Sequence, residues 1–199
     1  MNIFERILCF VIFAVGAGAM LVNFAVLKRG IRGAKSEIYI YYTNLSNIAV
    51  ILYHTVLFIA SFYRDSKFYK IIFSPVLRLS VTLIILMTFI IYHFVLRSAD
   101  KHLLPEVNTS CRQSKVKIIT NLCVHYVVPL LTFAEWVIFA NKESLNITDG
   151  VIWVIFPLIY NAFMSFRAKV IGNNNKKKKY PYFFIDADVI GRKKVAVNI

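Results

Sequence analysis

The chain has 199 residues, of which 58% are hydrophobic and 17% charged, with a mean hydropathy of +0.63. A soluble domain of that size needs more charge to solvate its surface, so the composition excludes one and points to a single compact membrane unit. The 24 Lys+Arg against 10 Asp+Glu give a net charge of +14. Such a balance can mark a nucleic-acid surface, but here the basic residues sit between apolar runs, the pattern of cytoplasmic flanks, and no nucleic-acid partner is expected.

Five apolar runs follow one another, each near the roughly 20 residues that a helix needs to cross hydrocarbon. The first, Ile7 to Leu27, ends at Lys28-Arg29. Ala17-Gly18-Ala19 has the look of a signal-peptidase site, but the run continues past it and Glu5-Arg6 makes a poor leader start, so a retained helix is expected. Its small residues (Ala14, Gly16, Ala17, Gly18, Ala19) predict close packing on a neighbour. The second run, Ile38 to Tyr63, opens on a polar stretch from Tyr39 to Asn47. The third, Val76 to Leu96, follows Pro75 and carries Arg78. The fourth, Ile118 to Ala140, holds Asn121, His125, Pro129, Thr132 and Glu135. The fifth, Val151 to Phe166, has Thr148 and Asp149 before it as an expected N-cap, and Arg167 and Lys169 to snorkel at its end. Pro129 and Pro157 each predict a kink and a freed backbone carbonyl.

From Gly172 the composition changes. Asn173 to Lys179 reads as a solvated linker, and Tyr180-Pro181-Tyr182-Phe183-Phe184-Ile185-Asp186 as an aromatic segment at the membrane interface. The fold class is therefore all-α, a polytopic bundle over residues 1–171 with a basic tail over 172–199. Arg6, Arg64, Lys67, Lys70 and Lys142 are five cations on one side. The 28–37 loop, the 97–117 segment and the tail carry 18, Arg78 lying within a helix. The positive-inside rule then puts the N-terminus outside and the tail in the cytoplasm.

Polar residues in hydrocarbon usually face the bundle interior and often mark a site. Asn121, His125, Pro129, Thr132 and Trp136 share one helical face; so do Thr43, Asn47 and His54, then Arg78 and Thr82, then Trp153, Pro157, Tyr160 and Asn161. Converging faces predict one polar pocket. For Ser46, Thr82 and Thr132 the plainer reading is a hydrogen bond to a neighbouring helix, and Glu135, near the outer interface, has an equally plain reading as a solvated carboxylate. The cysteines Cys9, Cys111 and Cys123 are odd in number and show no ligand spacing, so they read as packing residues with neither a disulfide framework nor a metal site. Of the sequons at Asn44, Asn108 and Asn146, only the last falls on the outer side. No nucleophile elbow, phosphate loop or zinc-protease motif occurs.

Tyr41-Tyr42-Thr43-Asn44-Leu45-Ser46-Asn47 is similar to the aromatic-aromatic-Thr-x-x-[Ser/Asp]-Asn opening of androgen-induced-protein-like membrane proteins and their bacterial relatives. Asn121 to Pro129 resembles their Asn-x-x-x-His…Pro segment, with Glu135 at a matching distance. Tyr180 to Asp186, ending near Gly191, looks like their Tyr-Pro-[Tyr/Phe] signature. The three pieces occur in the family's order. The resemblance implies a hydrolase of fatty acid esters of hydroxy fatty acids that works within the membrane, with Thr43 as nucleophile and His125 as general base. Asn47 or Asn121 would serve as oxyanion donors, and the other polar residues, His54, Arg78, Thr132, Glu135, Tyr160, Asn161 and Asp186, would line the pocket. It also implies a sixth helix after Gly191, which this sequence does not continue into, and by its spacing a bacterial plasma membrane. No cofactor is implied; the partners are membrane lipids and a lipid-ester substrate. Two other functions fit the same residues: a membrane binding or transport-related protein without catalysis, and a truncated relic of the hydrolase fold.

Overall fold

In hydrocarbon every backbone N–H and C=O must find its partner within the chain, which leaves helices as the form for isolated apolar runs. The computed structural model describes residues 1–30, 40–63, 66–97, 111–172 and 179–191, and no strand occurs among them. Five helical stretches, Ile3–Phe24, Tyr42–Ala60, Pro75–Leu96, Lys115–Phe139 and Ile147–Ile171, are long and apolar enough to span a bilayer. The chain is a multi-pass membrane protein. The basic loop beyond Gly30, the 98–110 segment with the Asn108 sequon, the Asn/Lys linker 173–178 and the end 192–199 lie outside the described residues.

Helix α1 is Ile3–Gly30 and α2 is Tyr42–Ala60. A short α3, Lys67–Ile72, went unseen in the sequence. It is capped by Ser66, whose Oγ accepts from Tyr69 N at 3.0 Å, and none of its residues is buried. Helix α4, Pro75–Ile91, starts on a proline whose missing N–H has no partner at that position anyway. It runs on into a π turn, Tyr92–Leu96. The fourth span consists of α5, Cys111–Leu122, a second π turn, Cys123–Val127, and α6, Val128–Phe139. The fifth is a 3₁₀ stretch, Ile147–Val154, followed by α7, Ile155–Ile171. Its N-cap is Asn146 and not the predicted Thr148 or Asp149. Asp149 instead accepts from Asn146 N at 2.8 Å, reaching back as the third residue of a capping box does.

Each of the two prolines follows a turn of definite local form. Pro129 and Pro157 cannot donate to the carbonyls four residues before them, and the turns just upstream leave α geometry. Before Pro129 the ladder widens, with Val128 N donating to Cys123 O. Before Pro157 it tightens to 3₁₀. Wide turns of this kind re-aim side chains and often serve functional sites, and here one of them carries His125.

The main core joins Cys9 and Ile12 of α1, Val50, Tyr53 and Leu57 of α2, Val81 and Ile85 of α4, and Val128 of α6. Helix α2 is the most buried span and the fifth the least. Large apolar side chains such as Phe10, Leu52, Ile90 and Phe163 point outward, as lipid contact requires. Within a bilayer close packing, and not the hydrophobic effect, joins helices. Gly16 supplies that between α1 and α2: a Cβ there would meet Ile51 Cγ1 at 2.9 Å, whereas one at Gly18 meets nothing within 4 Å. Gly16→Leu is expected to lower stability by about 1–3 kcal/mol, while Gly18→Ala is neutral or gains up to ~1 kcal/mol. Thermal unfolding in detergent separates the two; equal melting temperatures would contradict the packing assignment.

Residues 179–191 include a 3₁₀ turn, Phe183–Ile185, and a short helix α8, Ala187–Ile190. The aromatic segment does more than lie at the interface. Tyr182 and Ile185 are buried in a second core cluster with Ile40, Tyr42, Ile84, Tyr160 and Met164, while Phe183 and Val189 stay exposed. Arg167 Nη1 donates to Lys179 O at 2.6 Å and ties the start of the segment to α7.

Candidate active site

Thr43 lies in the first turn of α2, where backbone N–H groups have no intrahelical acceptor. Its N–H instead points at the Tyr182 hydroxyl, 3.4 Å away. Its Oγ1 is 3.3 Å from His125 Nε2 and 3.4 Å from the Tyr182 hydroxyl. His125 sits in the π turn of the fourth span, with Nδ1 3.0 Å from Asn121 O. A carbonyl can only accept, so the ring proton belongs on Nδ1 and Nε2 is left as an acceptor for the Thr43 hydroxyl. The Tyr92 ring stacks on the imidazole at 3.8 Å and 24° and fixes its plane. Tyr92 is itself held by the Asn121 amide, which donates to its hydroxyl. Hydroxyl, imidazole and orienting carbonyl thus form an ordered chain of hydrogen bonds, the arrangement on which activation of a hydroxyl would depend.

Asn47 has a different role from the expected oxyanion donor. Its Nδ2 donates to Thr43 O at 2.8 Å and to Val124 O at 3.1 Å. Both amide protons are engaged, and the residue clamps α2 to the fourth span beneath the Thr–His pair. Asn121 likewise serves the ring of Tyr92 and the imidazole. The donor next to Thr43 Oγ1 is Tyr182, a residue whose role the sequence did not disclose. Burial pushes its hydroxyl above the ordinary tyrosine value, so it stays a neutral O–H donor at neutral pH. Ser46 Oγ and Thr88 Oγ1, 2.7 Å apart, bond across from α2 to α4 as the plain reading of Ser46 predicts.

A narrow cavity of about 60 Å³ opens beside Thr43, walled chiefly by Tyr42, Met87, Ile91, Leu96, Tyr160, Asn161, Tyr182 and Ile185. Tyr160 and Asn161 therefore line it as expected. Tyr160 also donates to Ile40 O at 2.7 Å.

The remaining expected residues lie elsewhere, and the single polar pocket divides into two clusters. His54, Arg78, Thr132 and Glu135 belong to the other end of the bundle. A shared helical face does not mean a shared depth: 11 residues at 1.5 Å each set Thr43 and His54 about 16 Å apart along α2. In that second cluster the Arg78 guanidinium bonds Glu5 Oε1 at 2.7 Å, Glu135 Oε2 at 3.2 Å and the other Glu135 oxygen. Glu135 is 1% exposed, so the solvated-carboxylate reading is wrong: its partner on α4 carries it out of water. Thr132 and Thr82 each bond a carbonyl one turn back, to Val128 O and Arg78 O at 2.9 Å, and not a neighbouring helix. Asp186 lies outside the cavity wall. Its Oδ1 accepts from Asp188 N at 3.1 Å and Val189 N at 3.3 Å and so caps α8.

Comparison of the chain with protein-family models, with curated proteins and with solved structures finds no match.

Proposed function

We propose that this protein is an intramembrane hydrolase of lipid esters, related to the androgen-induced-protein-like hydrolases, with Thr43 as nucleophile and His125 as general base. The observation that carries the reading is the Thr43 Oγ1 to His125 Nε2 distance of 3.3 Å, with Nδ1 of the same ring held at 3.0 Å by Asn121 O. Thr43 Oγ1 would attack the ester carbonyl while Nε2 takes its proton. The proton then goes to the leaving alkoxide, and the alcohol departs. Water, deprotonated by the same nitrogen, next cleaves the acyl-threonine to release the acid and restore the hydroxyl. Tyr182 O–H is the side-chain donor placed to meet the developing oxyanion, and the apolar wall of Met87, Ile91 and Leu96 suits an acyl chain.

A fluorophosphonate probe reports an activated hydroxyl directly. In nanodiscs the wild type is expected to label, and Thr43→Ala and His125→Ala are not. A folded wild type that stays unlabelled would remove the hydrolase reading. One observation favours a second reading, a membrane lipid binder without catalysis: the imidazole is oriented by a neutral carbonyl, which stabilises an imidazolium less than a carboxylate does. Lipid bound at the cavity with no labelling would select it.

The charge count supports an orientation with the Thr43 end of the bundle at the cytoplasmic leaflet, and the family resemblance supports a bacterial plasma membrane. In a cysteine-free background, Lys142→Cys is expected to react with an impermeant maleimide added outside intact cells, and Lys179→Cys is not. The opposite pattern would invert the topology.

A further inference from the structure

We propose that Cys9, His54 and Glu135 bind one zinc-class divalent cation at the Arg78 end of the bundle. One donor atom from each residue lies within 4.8 Å of the others, and the residues are 0%, 1% and 1% exposed. They come from α1, α2 and α6, so the ion ties three spans together. The sequence showed no ligand spacing because no two of the donors share a helix.

His54 points to a ligand independently of its neighbours. Its Nδ1 is 2.9 Å from Val50 O, which sets the ring proton there and leaves the Nε2 lone pair free. That nitrogen is buried with no hydrogen-bond partner among the described residues. An imidazole anchored through one nitrogen to a backbone carbonyl, with the other bare, has the orientation of a metal-bound histidine.

Charge favours a cation too. Glu5 and Glu135 both pair with Arg78, and all three are at most 6% exposed, so two carboxylates face one guanidinium. A lone excess charge in such a place is costly. A proton on one carboxyl would answer the charge but would leave His54 Nε2 without a partner. A dication bound to His54, Glu135 and the Cys9 thiolate, whose proton goes to solvent, brings the cluster to neutrality and satisfies the nitrogen. Sulfur, imidazole and carboxylate together form a zinc donor set. Ligands on a tetrahedral zinc stand about 3.3–3.8 Å apart, so donors already within 4.8 Å need to close by no more than about 1–1.5 Å.

The test uses the full chain in nanodiscs, first by metal analysis and then after cobalt replacement. About one zinc per chain is expected to survive gel filtration. The cobalt protein should show a thiolate-to-cobalt charge-transfer band with the visible bands of tetrahedral cobalt. Cys9→Ser removes the charge-transfer band, and His54→Phe weakens retention of zinc by at least ~10-fold. A folded wild type that keeps no zinc and gives no cobalt spectrum overturns the site and leaves His54 Nε2 to a water. Cobalt bound without a thiolate band overturns it equally. Both decisive measurements need only the wild type, so a variant that fails to fold does not blunt the test. Fluorophosphonate labelling at Thr43 is read separately, and either proposal can fail alone.

Discussion

For the proposed hydrolase, turnover of a lipid ester is expected to fall by ~10³-fold or more in Thr43→Ala and in His125→Gln, and by no further factor in the double variant. Groups that act as one unit are strongly non-additive, because removing either already disables the step that both serve. In this site the dependence is geometric. Without the Nε2 lone pair, 3.3 Å from Oγ1, the threonine keeps its proton and is a weak nucleophile. Without Oγ1 the imidazole has nothing to activate but water. Tyr182→Phe separates the oxyanion role from packing. It keeps the ring against Tyr41, at a centroid distance of 5.8 Å, and loses only the hydroxyl. A fall of ~10²-fold in kcat is expected, with a loss of stability of only about 1 kcal/mol from the Thr43 N–H that loses its acceptor. Independent losses that multiply in the Thr43/His125 double variant would count against a shared step, and an unchanged kcat in Tyr182→Phe would return the oxyanion to backbone donors.

In the metal-free protein, in which the two Arg78 variants are compared, Arg78→Met is expected to be the most damaging single change to stability, at about 3–5 kcal/mol, because it strands Glu5 and Glu135 away from water with no cation. The guanidinium holds α1 through Glu5, α6 through Glu135, and the carbonyl of Phe139 at 3.4 Å. Replacing the partners as well reverses the sign of the argument. With Glu5→Leu and Glu135→Leu added, no buried charge remains, and much of the loss should be regained as apolar groups fill the same space. Melting temperatures of the single and triple variants in one detergent decide it. A triple variant less stable than Arg78→Met would show that the cluster stabilises the bundle by more than mutual charge compensation.

The amino-acid sequence by itself determined the fold class and the spans, because a bilayer allows an isolated apolar run only one hydrogen-bonded form. It determined the faces as well. Thr43 and Asn47 do turn toward the helix that carries Asn121 and His125, since the period of a helix is fixed. Depth, partner and the end of the bundle were decided only by the tertiary structure. Thr43 and His54 share a face of α2 yet serve different clusters. Glu135 became a buried ion-pair partner once Arg78, 57 residues earlier, came to the same end of an antiparallel neighbour. The role of Asn47 depended on two carbonyls, those of Thr43 and Val124, whose approach no side-chain pattern records. Tyr182 reached Thr43 across 139 residues of sequence, so its aromatic neighbours could disclose only an affinity for the interface. Periodicity is a local property of the chain and reads out directly. Which donor meets which acceptor depends on how whole helices slide and cross, and that is settled by packing at all of their contacts together.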